Sequence, residues 1–452
     1  MYRIAVNGSR AAGDHRSRLA TLLLATLLLA GCAGHVLMPT PSIYLPPDQR
    51  ELFVDLPSDL KTTSLDVLYV TDRAPQRDKS GQLTYTTARS RSMAVGSATT
   101  IFGNGTSWKE LAQESVKRKR SGLIRLHLGA VTELVRFPAI PYGSHRSGSE
   151  YMRDAEVVAA HDAAKAVVQA ELELRLKAAP RKEIFLFVHG VDNSFEDAVL
   201  TAGELCHFLG REFVCVAYTW PAGAAAGPLR AYTRDRESSE YTIPHLKQIL
   251  RMLTTSPGVE KVHVLAHSRG TDVAARALRE LGIEAYAAGF TPLERYRIAD
   301  LVLAAPDIDL DVSSQNAWVF ESDPDMLTAA SWPKNYLPLN WDRVTVYTSP
   351  GDNALGLAST LFSSARRLGQ VTPEALSMER QRALANIGGI DVIEVLNKTD
   401  YFGHSYFRTE PATSGDLMAV IRYDLKPGDP GRTLKPLGPA FWQVLTKPTP
   451  GQ

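Results

Sequence analysis

The chain has 452 residues, 44% of them hydrophobic, and its 50 basic and 49 acidic side chains give a formal net charge of +1. A chain of this length and composition can bury a large core, and length alone allows two or three domains. The near-neutral balance offers no electrostatic argument for a nucleic-acid partner.

Residues 1–31 have the organisation of a targeting signal. Four arginines precede the apolar stretch 19–30, which is shorter than the roughly 20 residues that a transmembrane helix needs. The stretch ends in Leu-Ala-Gly-Cys at 29–32, which resembles the lipobox of bacterial lipoproteins. We therefore predict a lipoprotein signal peptide at 1–31 and acylation of Cys32 by fatty acids such as palmitate. The alternative is an ordinary secretory signal.

The predicted address is the cell envelope. Several acyl chains on Cys32 would hold the protein at a membrane without spanning it. Ala33 stands where an aspartate would act as a retention signal, so we expect the outer membrane, facing the periplasm, in a Gram-negative cell. Four prolines between 39 and 47 predict an extended tether over residues 32–55. Without residues 1–31 the net charge becomes about −2.

The remaining chain, 56–447, is predicted to be one α/β domain. An extension at about 56–150 contains strand-like runs at 66–70 and 123–128, and a helical pattern follows at 154–177. Runs typical of strands then alternate with helical patterns, at 184–188, 213–219, 262–266, 301–304, 344–348 and 392–396. This alternation predicts a doubly wound, mostly parallel sheet with covering helices, whose active site lies beyond the carboxyl ends of the strands.

The first of these core strands runs into a His-Gly turn at 189–190. Gly190 would allow the backbone to approach a substrate, and the N–H of Val191 is the predicted donor to a developing oxyanion. We interpret His189 as a residue that shapes this loop by hydrogen bonds and transfers no proton. Downstream, Cys206 and Cys215 could form a disulfide in an oxidising compartment or be small core residues, and the sequence leaves both open.

A serine follows the strand at 262–266. Segment 266–270 reads Ala-His-Ser-Arg-Gly, and a helical pattern begins at 271. A strand, a sharp turn with small residues two positions either side of a serine, and a helix together are typical of a nucleophile elbow. The sequence therefore predicts Ser268 as a nucleophile and the N–H of Arg269 as the other oxyanion donor.

Candidate partners of the serine lie after later strands. His404 is the only histidine that follows Ser268 in the sequence, and the α/β-hydrolase order of nucleophile, acid and base requires the base to come last. Asp352, which follows the strand at 344–348 and a Pro-Gly turn, is the predicted acid that orients it. Asp307, after the strand at 301–304, is the alternative acid.

Several segments together resemble a known family. They are Phe-Val-His-Gly-Val-Asp-Asn-Ser-Phe-Glu-Asp-Ala at 187–198, Thr-Trp-Pro-Ala-Gly at 219–223, Ala-His-Ser-Arg-Gly at 266–270, Ala-Ala-Pro-Asp at 304–307, Asp-Asn-Ala-Leu at 352–355 and Gly-His-Ser-Tyr at 403–406. This order is similar to the bacterial α/β-hydrolase family of unknown function, DUF900. The resemblance implies an α/β-hydrolase fold and a triad at Ser268, Asp352 and His404. The chain departs from it at Arg269, where an uncharged residue is usual, so a guanidinium there would favour an anionic substrate or point to solvent.

The predicted function is that of a serine hydrolase acting on a small-molecule or lipid ester. The aromatic and apolar residues between 308 and 340 suggest a cap-like insert over an acyl or aryl group. No motif indicates a metal or another cofactor. Thioesterase or peptidase activity uses the same acyl-serine chemistry. A rival from a different class is a non-catalytic envelope lipoprotein that uses the fold as a scaffold or binding module.

Overall fold

The computed structural model describes residues 34–47, 49–223, 228–317, 341–362, 366–396 and 403–446. Its strands are β1 Ser64–Arg77, β2 Leu83–Phe102, β3 Leu126–Arg136, β4 Ser144–Ser147, β5 Glu150–Arg153, β6 Glu183–Val188, β7 Val214–Thr219, β8 Lys261–His267, β9 Ile298–Ala304, β10 Arg343–Thr348, β11 Ile390–Glu394, β12 Leu434–Gly438 and β13 Phe441–Val444. Its α-helices are α1 Trp108–Ser115, α2 Ala155–Ala178, α3 Phe195–Phe208, α4 Pro228–Thr255, α5 Gly270–Ala287, α6 Pro292–Arg295, α7 Leu310–Ala317, α8 Asn353–Phe362, α9 Met378–Ile387, α10 Tyr406–Thr409 and α11 Pro411–Ile421.

Eleven strands form one sheet in the order β12-β13-β11-β10-β9-β8-β6-β7-β1-β2-β3. The eight from β13 to β1 run parallel, and antiparallel strands complete the sheet at both ends. The chain passes from β6 to β7 on one side and then crosses to β8 on the other. The loops after β6 and β8 therefore face each other at a topological switch point, where open α/β sheets bind ligands.

The sheet is buried on both faces. In β6, Ile184 and Leu186 pack into a core with helices α2, α4 and α5. The alternate residues Phe185 and Phe187 pack into a second core with α3 and α11. Because both faces of such a strand are buried, its sequence is a continuous apolar run and not an alternating one. The chain therefore forms a doubly wound, mostly parallel sheet with helices on both faces, as the strand and helix alternation predicts.

The predicted extension is part of the main sheet. Strands β1, β2 and β3 continue it past β7, with β1 parallel to β7 and the next two pairs antiparallel. Helix α4 is much longer than the pattern near 243–253 indicates, because it starts at Pro228 and continues through Pro244. None of the helices in the described ranges combines the length and the apolar character that a bilayer span requires.

The N-terminal segment differs from the predicted extended tether at 32–55. Leu37, Met38 and Tyr44 are each 2% exposed or less, and the Tyr44 hydroxyl donates to the Phe208 carbonyl on α3. The prolines therefore shape a strap that packs on the second core. The apolar side chains between them favour burial over a free spacer. The predicted signal peptide, Cys32 and the 318–340 part of the cap-like insert lie outside the described residues.

The two cysteines left open by the sequence are joined. Cys206, near the end of α3, and Cys215, in β7, form a disulfide with their Cα atoms 6.3 Å apart. Both residues are buried in the second core. The bond fixes the helix to the strand that follows it.

Candidate active site

Ser268 occupies a sharp turn between β8 and α5. Its φ of +53° lies in the left-handed region that non-glycine residues rarely adopt, and its N–H donates to the Ala304 carbonyl at 2.9 Å. A Cβ atom on Gly270 would lie 2.2 Å from the carbonyl oxygen of His189. The turn therefore depends on a glycine at 270, as the small-x-Ser-x-small pattern predicts for a nucleophile elbow.

His404 and Asp352 are brought together from the ends of different strands. His404 Nδ1 lies 2.7 Å from Asp352 Oδ2. Asp352 is 1% exposed, and its other carboxylate oxygen accepts the N–H of Leu355 at 3.0 Å. Because the carboxylate is held at both oxygens, it fixes the orientation of the imidazole and the proton on Nδ1. Nε2 is then the nitrogen left to exchange a proton.

His267 links the elbow to the loop that carries His404. Its Nε2 lies 3.1 Å from the His404 carbonyl oxygen, and its ring contacts those of His404 and Phe407, with centroids 4.9 and 4.6 Å away. Burial lowers the pKa of His267 well below its usual value, and the neighbouring His404 adds to the effect. His267 is therefore a neutral donor through Nε2–H that ties the backbone of residue 404 to the residue before Ser268.

Asp307, the alternative acid, has other partners. Its carboxylate accepts the Tyr232 hydroxyl at 2.5 Å and lies 3.4 Å from Arg367 Nε. Its own N–H donates to the Ser268 carbonyl at 3.2 Å. The structure thus pairs His404 with Asp352, whereas Asp307 contacts Tyr232, Arg367 and the backbone of Ser268.

The predicted oxyanion donors flank Ser268. A Cβ on Gly190 would lie 2.7 Å from the Ser268 Cβ, so the loop after β6 passes directly against the serine. The N–H groups of Val191 and Arg269 donate to no other group within the described ranges. Two amides on adjacent loops, free of protein acceptors, are the arrangement that binds an oxyanion in acyl transfer.

Arg73 supports this loop and was not predicted. It is fully buried in β1, and it donates from Nε to Thr219 Oγ1 at 2.8 Å, from Nη1 to the Ala222 carbonyl at 2.9 Å and from Nη2 to the Asn193 carbonyl at 2.6 Å. Burial lowers its pKa to about 10. Adjacent charged residues inside an apolar strand, at 72–73, are the sequence signal that marks it.

His189 packs against the same guanidinium. Its Nδ1 lies 2.7 Å from the Gly190 carbonyl oxygen, and its ring stacks on Trp220 at 5.1 Å. Burial and the charge of Arg73 lower its pKa to about 3. A histidine that stays neutral and hydrogen-bonded to its own loop has a structural role, as the sequence predicts.

Asp235 on α4 fixes two loops at once. Its carboxylate accepts the N–H of Asp192 at 2.9 Å and that of Gly223 at 3.1 Å. Burial raises its pKa, although the two backbone hydrogen bonds oppose that effect. Asp192 has a φ of +54°, so this contact holds a strained residue next to Val191.

The Arg269 side chain neither points to solvent nor is free to bind an anionic substrate, the two alternatives that its charge suggested. It is 4% exposed, and its guanidinium donates to Ser239 Oγ at 3.3 Å and to the Asp307 carbonyl at 3.0 Å, and lies 3.2 Å from Asp272. Because the charge is paired under the surface, it neither points to solvent nor offers a free group to an anionic substrate. Among the described residues, no three His, Cys, Asp or Glu side chains form a group that could hold a metal ion.

Comparison with known protein families agrees with this architecture. A family model described as "Alpha/beta hydrolase of unknown function (DUF900)" matches residues 164–422, more than half of the chain. No curated protein gives a significant sequence match.

Solved structures with some similarity include a variant of the esterase rPPE, with 18% identity and a TM-score of 0.24 over 53% of this chain and 72% of that one. An esterase from Pyrobaculum calidifontis has 17% identity and a TM-score of 0.28 over 54% and 78%. Acyl-protein thioesterase 2 from Zea mays has 16% identity and a TM-score of 0.22 over 46% and 94%.

Proposed function

The chain belongs to the α/β-hydrolase family of unknown function DUF900, and from that premise we propose that it is a serine hydrolase that cleaves carboxylic esters. The observation that carries the proposal is the 2.7 Å hydrogen bond between Asp352 and His404, in a loop tied through His267 to the Ser268 elbow. Such a pair orients an imidazole to act as a general base toward a neighbouring hydroxyl.

The proposed reaction has two halves. Ser268 Oγ attacks the ester carbonyl carbon while its proton passes to His404 Nε2, and the carbonyl oxygen becomes an oxyanion that accepts the N–H groups of Val191 and Arg269. The tetrahedral intermediate collapses, and the leaving alkoxide takes the proton from His404. A water molecule then attacks the acyl-serine by the same route, so that the carboxylic acid leaves and the Ser268 hydroxyl is restored. Asp352 stabilises the imidazolium in both halves.

The decisive experiment replaces the nucleophile. Ser268→Ala should abolish hydrolysis of a short-chain p-nitrophenyl ester while the thermal melt stays that of the wild type. Ser414→Ala, which changes another buried serine, in α11, is the matched control and should keep wild-type turnover. Unchanged turnover in Ser268→Ala would refute the assignment.

The rival scaffold function predicts a different result. A non-catalytic protein would leave a fluorophosphonate probe unreacted, whereas an activated serine is phosphonylated. Parallel assays with matched esters, thioesters and peptides separate the three acyl-transfer activities that the same residues could perform. We propose esters as the substrate class, and faster turnover of the matched thioester or peptide would replace that assignment.

Tethering to a membrane is a separate part of the proposal. It rests on the Leu-Ala-Gly-Cys segment at 29–32 and on the short apolar stretch before it. Metabolic labelling with a palmitate analogue should tag the wild-type protein and not Cys32→Ala. Equal labelling of the two would show that Cys32 is not the acylated residue.

A further inference from the structure

The loop between α1 and β3 forms one surface with the beginning of the described chain. The Leu37 N–H donates to the Ile124 carbonyl at 2.9 Å, and the Leu126 N–H donates to the His35 carbonyl at 2.7 Å. Gly34 lies beside the Arg125 guanidinium. The point where the chain enters the folded body is therefore fixed against this loop.

The surface carries unpaired positive charge. Arg118, Lys119 and Arg125 are exposed and have no carboxylate partner within the described ranges. Lys117, also exposed, pairs with Glu114 at 2.6 Å. We call this surface the basic face; its members are Val116, Lys117, Arg118, Lys119, Leu123 and Arg125.

Two features separate the basic face from an ordinary solvated charge run. Leu123 is 74% exposed and Val116 40%, so apolar side chains stand among the cations. The neighbouring Arg120 is held differently: it donates to the Leu37 and Met38 carbonyls at 2.8 and 2.7 Å, which fastens the loop to the N-terminal segment. The exposed cationic side chains therefore extend from a loop that these hydrogen bonds hold to the N-terminal segment.

We propose that the basic face lies on an anionic phospholipid surface. Arg118, Lys119 and Arg125 contact headgroup phosphates, and Leu123 enters the interfacial region, which is how basic and apolar side chains share a membrane surface. The chain after residue 31 has a net charge of about −2, so the attraction comes from this local cluster and not from the protein as a whole. The carboxylate of Glu114, at the end of α1, is paired with Lys117 at 2.6 Å.

The position of Cys32 agrees with this orientation. Only Ala33 lies between Cys32 and Gly34, and a fully extended chain spans at most about 7 Å over those two positions. A lipid on Cys32 would consequently hold the basic face against the headgroups. This step rests on the proposed lipidation, whereas the charge and exposure of the face do not.

The test uses the full chain with Cys32→Ala, so that no acyl group contributes. Binding is measured by co-sedimentation with vesicles of phosphatidylcholine alone or of phosphatidylcholine and phosphatidylglycerol in equal parts. Every variant shares the apolar stretch 19–30 and the four arginines before it, so a change in the ratio between the two vesicle types reports the effect of the substitution alone. We expect tighter binding to the anionic vesicles, and a preference that falls about 30-fold in Arg118→Glu/Lys119→Glu.

The matched control reverses two exposed lysines at the other end of the sheet. Lys426→Glu/Lys435→Glu makes the same change in net charge near β12 and should keep the preference for anionic vesicles. Leu123→Asp should weaken binding without any change in basic residues.

Three outcomes would overturn the proposal. They are equal loss in both double variants, unchanged binding in Arg118→Glu/Lys119→Glu, and a dimer in vesicle-free solution that this double variant dissociates, which would assign the basic face to a second copy of the chain. Failure of palmitate labelling would remove the lipid at Cys32 and leave the vesicle result standing.

Discussion

The two edges of the sheet carry histidine–carboxylate networks with different connectivity. At the carboxyl edge, His404 Nδ1 binds Asp352, and its Nε2 has no partner within the described residues. At the amino edge, His263 Nδ1 lies 2.5 Å from Asp300 and its Nε2 lies 3.0 Å from Glu183. Both imidazoles are oriented by an aspartate, but only that of His404 retains a ring nitrogen without a partner among the described residues.

The comparison shows that a histidine–aspartate pair is not by itself a catalytic signature. Asp300 also accepts a hydrogen bond from Arg343 Nε at 2.6 Å. Both nitrogens of His263 are therefore bound in a charge network at the amino edge, which we call the closed network. The network at the amino edge stabilises the fold, whereas the open pair at the carboxyl edge is arranged for chemistry.

The largest effect is expected from replacing the aspartate at each edge. Asp352→Asn should lower kcat for ester hydrolysis by about 10⁴-fold, because an amide no longer stabilises the imidazolium or the correct tautomer. Asp300→Asn should leave kcat within a few-fold of the wild type below its melting temperature. Steady-state kinetics beside a thermal melt measure both. Equal losses of kcat in Asp352→Asn and Asp300→Asn would contradict the proposal that only the carboxyl-edge pair is catalytic.

Next in size is the stability that the closed network provides. His263→Gln leaves Asp300 and Glu183 without their shared partner, and breaking a buried pair costs about 3–5 kcal/mol. Urea denaturation should show this loss, with turnover under native conditions retained. His404→Gln is the counterpart and should lose turnover with little change in stability. The reverse pattern in the two variants would contradict the assignment of the edges.

The pH dependence of stability should follow the same network. Burial lowers the pKa of His263, but the hydrogen bonds to Asp300 and Glu183 more than offset this, so its pKa is raised. The stabilisation from His263 is therefore fully present below its unfolded pKa of about 6.5 and is lost as pH rises through the folded value.

The pKa values of Asp300 and Glu183 are lowered, because pairing with His263 outweighs burial, so their contribution is lost as pH falls through those values. The free energy of unfolding, measured by urea denaturation across pH, should decline on the alkaline side in the wild type and less so in His263→Gln. Parallel curves for the two proteins would exclude this origin.

A smaller effect on catalysis is expected at Arg73. Arg73→Lys keeps the charge but cannot reproduce bonds to Thr219, Ala222 and Asn193 together. The loop that presents the Val191 N–H should shift, and kcat should fall by about 10²-fold, as for loss of one oxyanion donor. KM should change little, which a general loss of folding would not produce. Wild-type kcat would show that Arg73 does not position the loop.

The smallest change concerns the helix that begins at the elbow. Gly270→Ala puts a Cβ 2.2 Å from the His189 carbonyl oxygen and should cost about 1–3 kcal/mol and reduce turnover. Gly282→Ala in the same helix meets only Pro292 at 3.7 Å and should stabilise slightly. Thermal melts of both variants measure the difference in stability. Equal melting temperatures would show that the turn at Ser268 accommodates the added methyl group.

The parts of the fold that sequence predicts are those governed by local pattern. The buried strands β6, β8 and β9 are mostly apolar, and Ser268, Asp352 and His404 follow β8, β10 and β11 along the chain. Because parallel strands end at one edge, order along the chain is enough to predict that these residues meet.

The residues that sequence reasoning missed act over long separations. Arg73 contacts Asn193, 120 positions away, and the partner depends on β1 pairing with β7. The packed N-terminal segment was predicted as a tether because prolines dominate its local pattern. Its burial depends on α3 and α11, which lie far away in the sequence.

The most direct test of the account is covalent labelling. A fluorophosphonate probe followed by peptide mass spectrometry should place one adduct on Ser268 in the wild type and in His263→Gln, and none in His404→Gln. An adduct that forms equally in His404→Gln, or a wild-type protein that remains unlabelled, would contradict the claim that the open histidine–aspartate pair activates this serine.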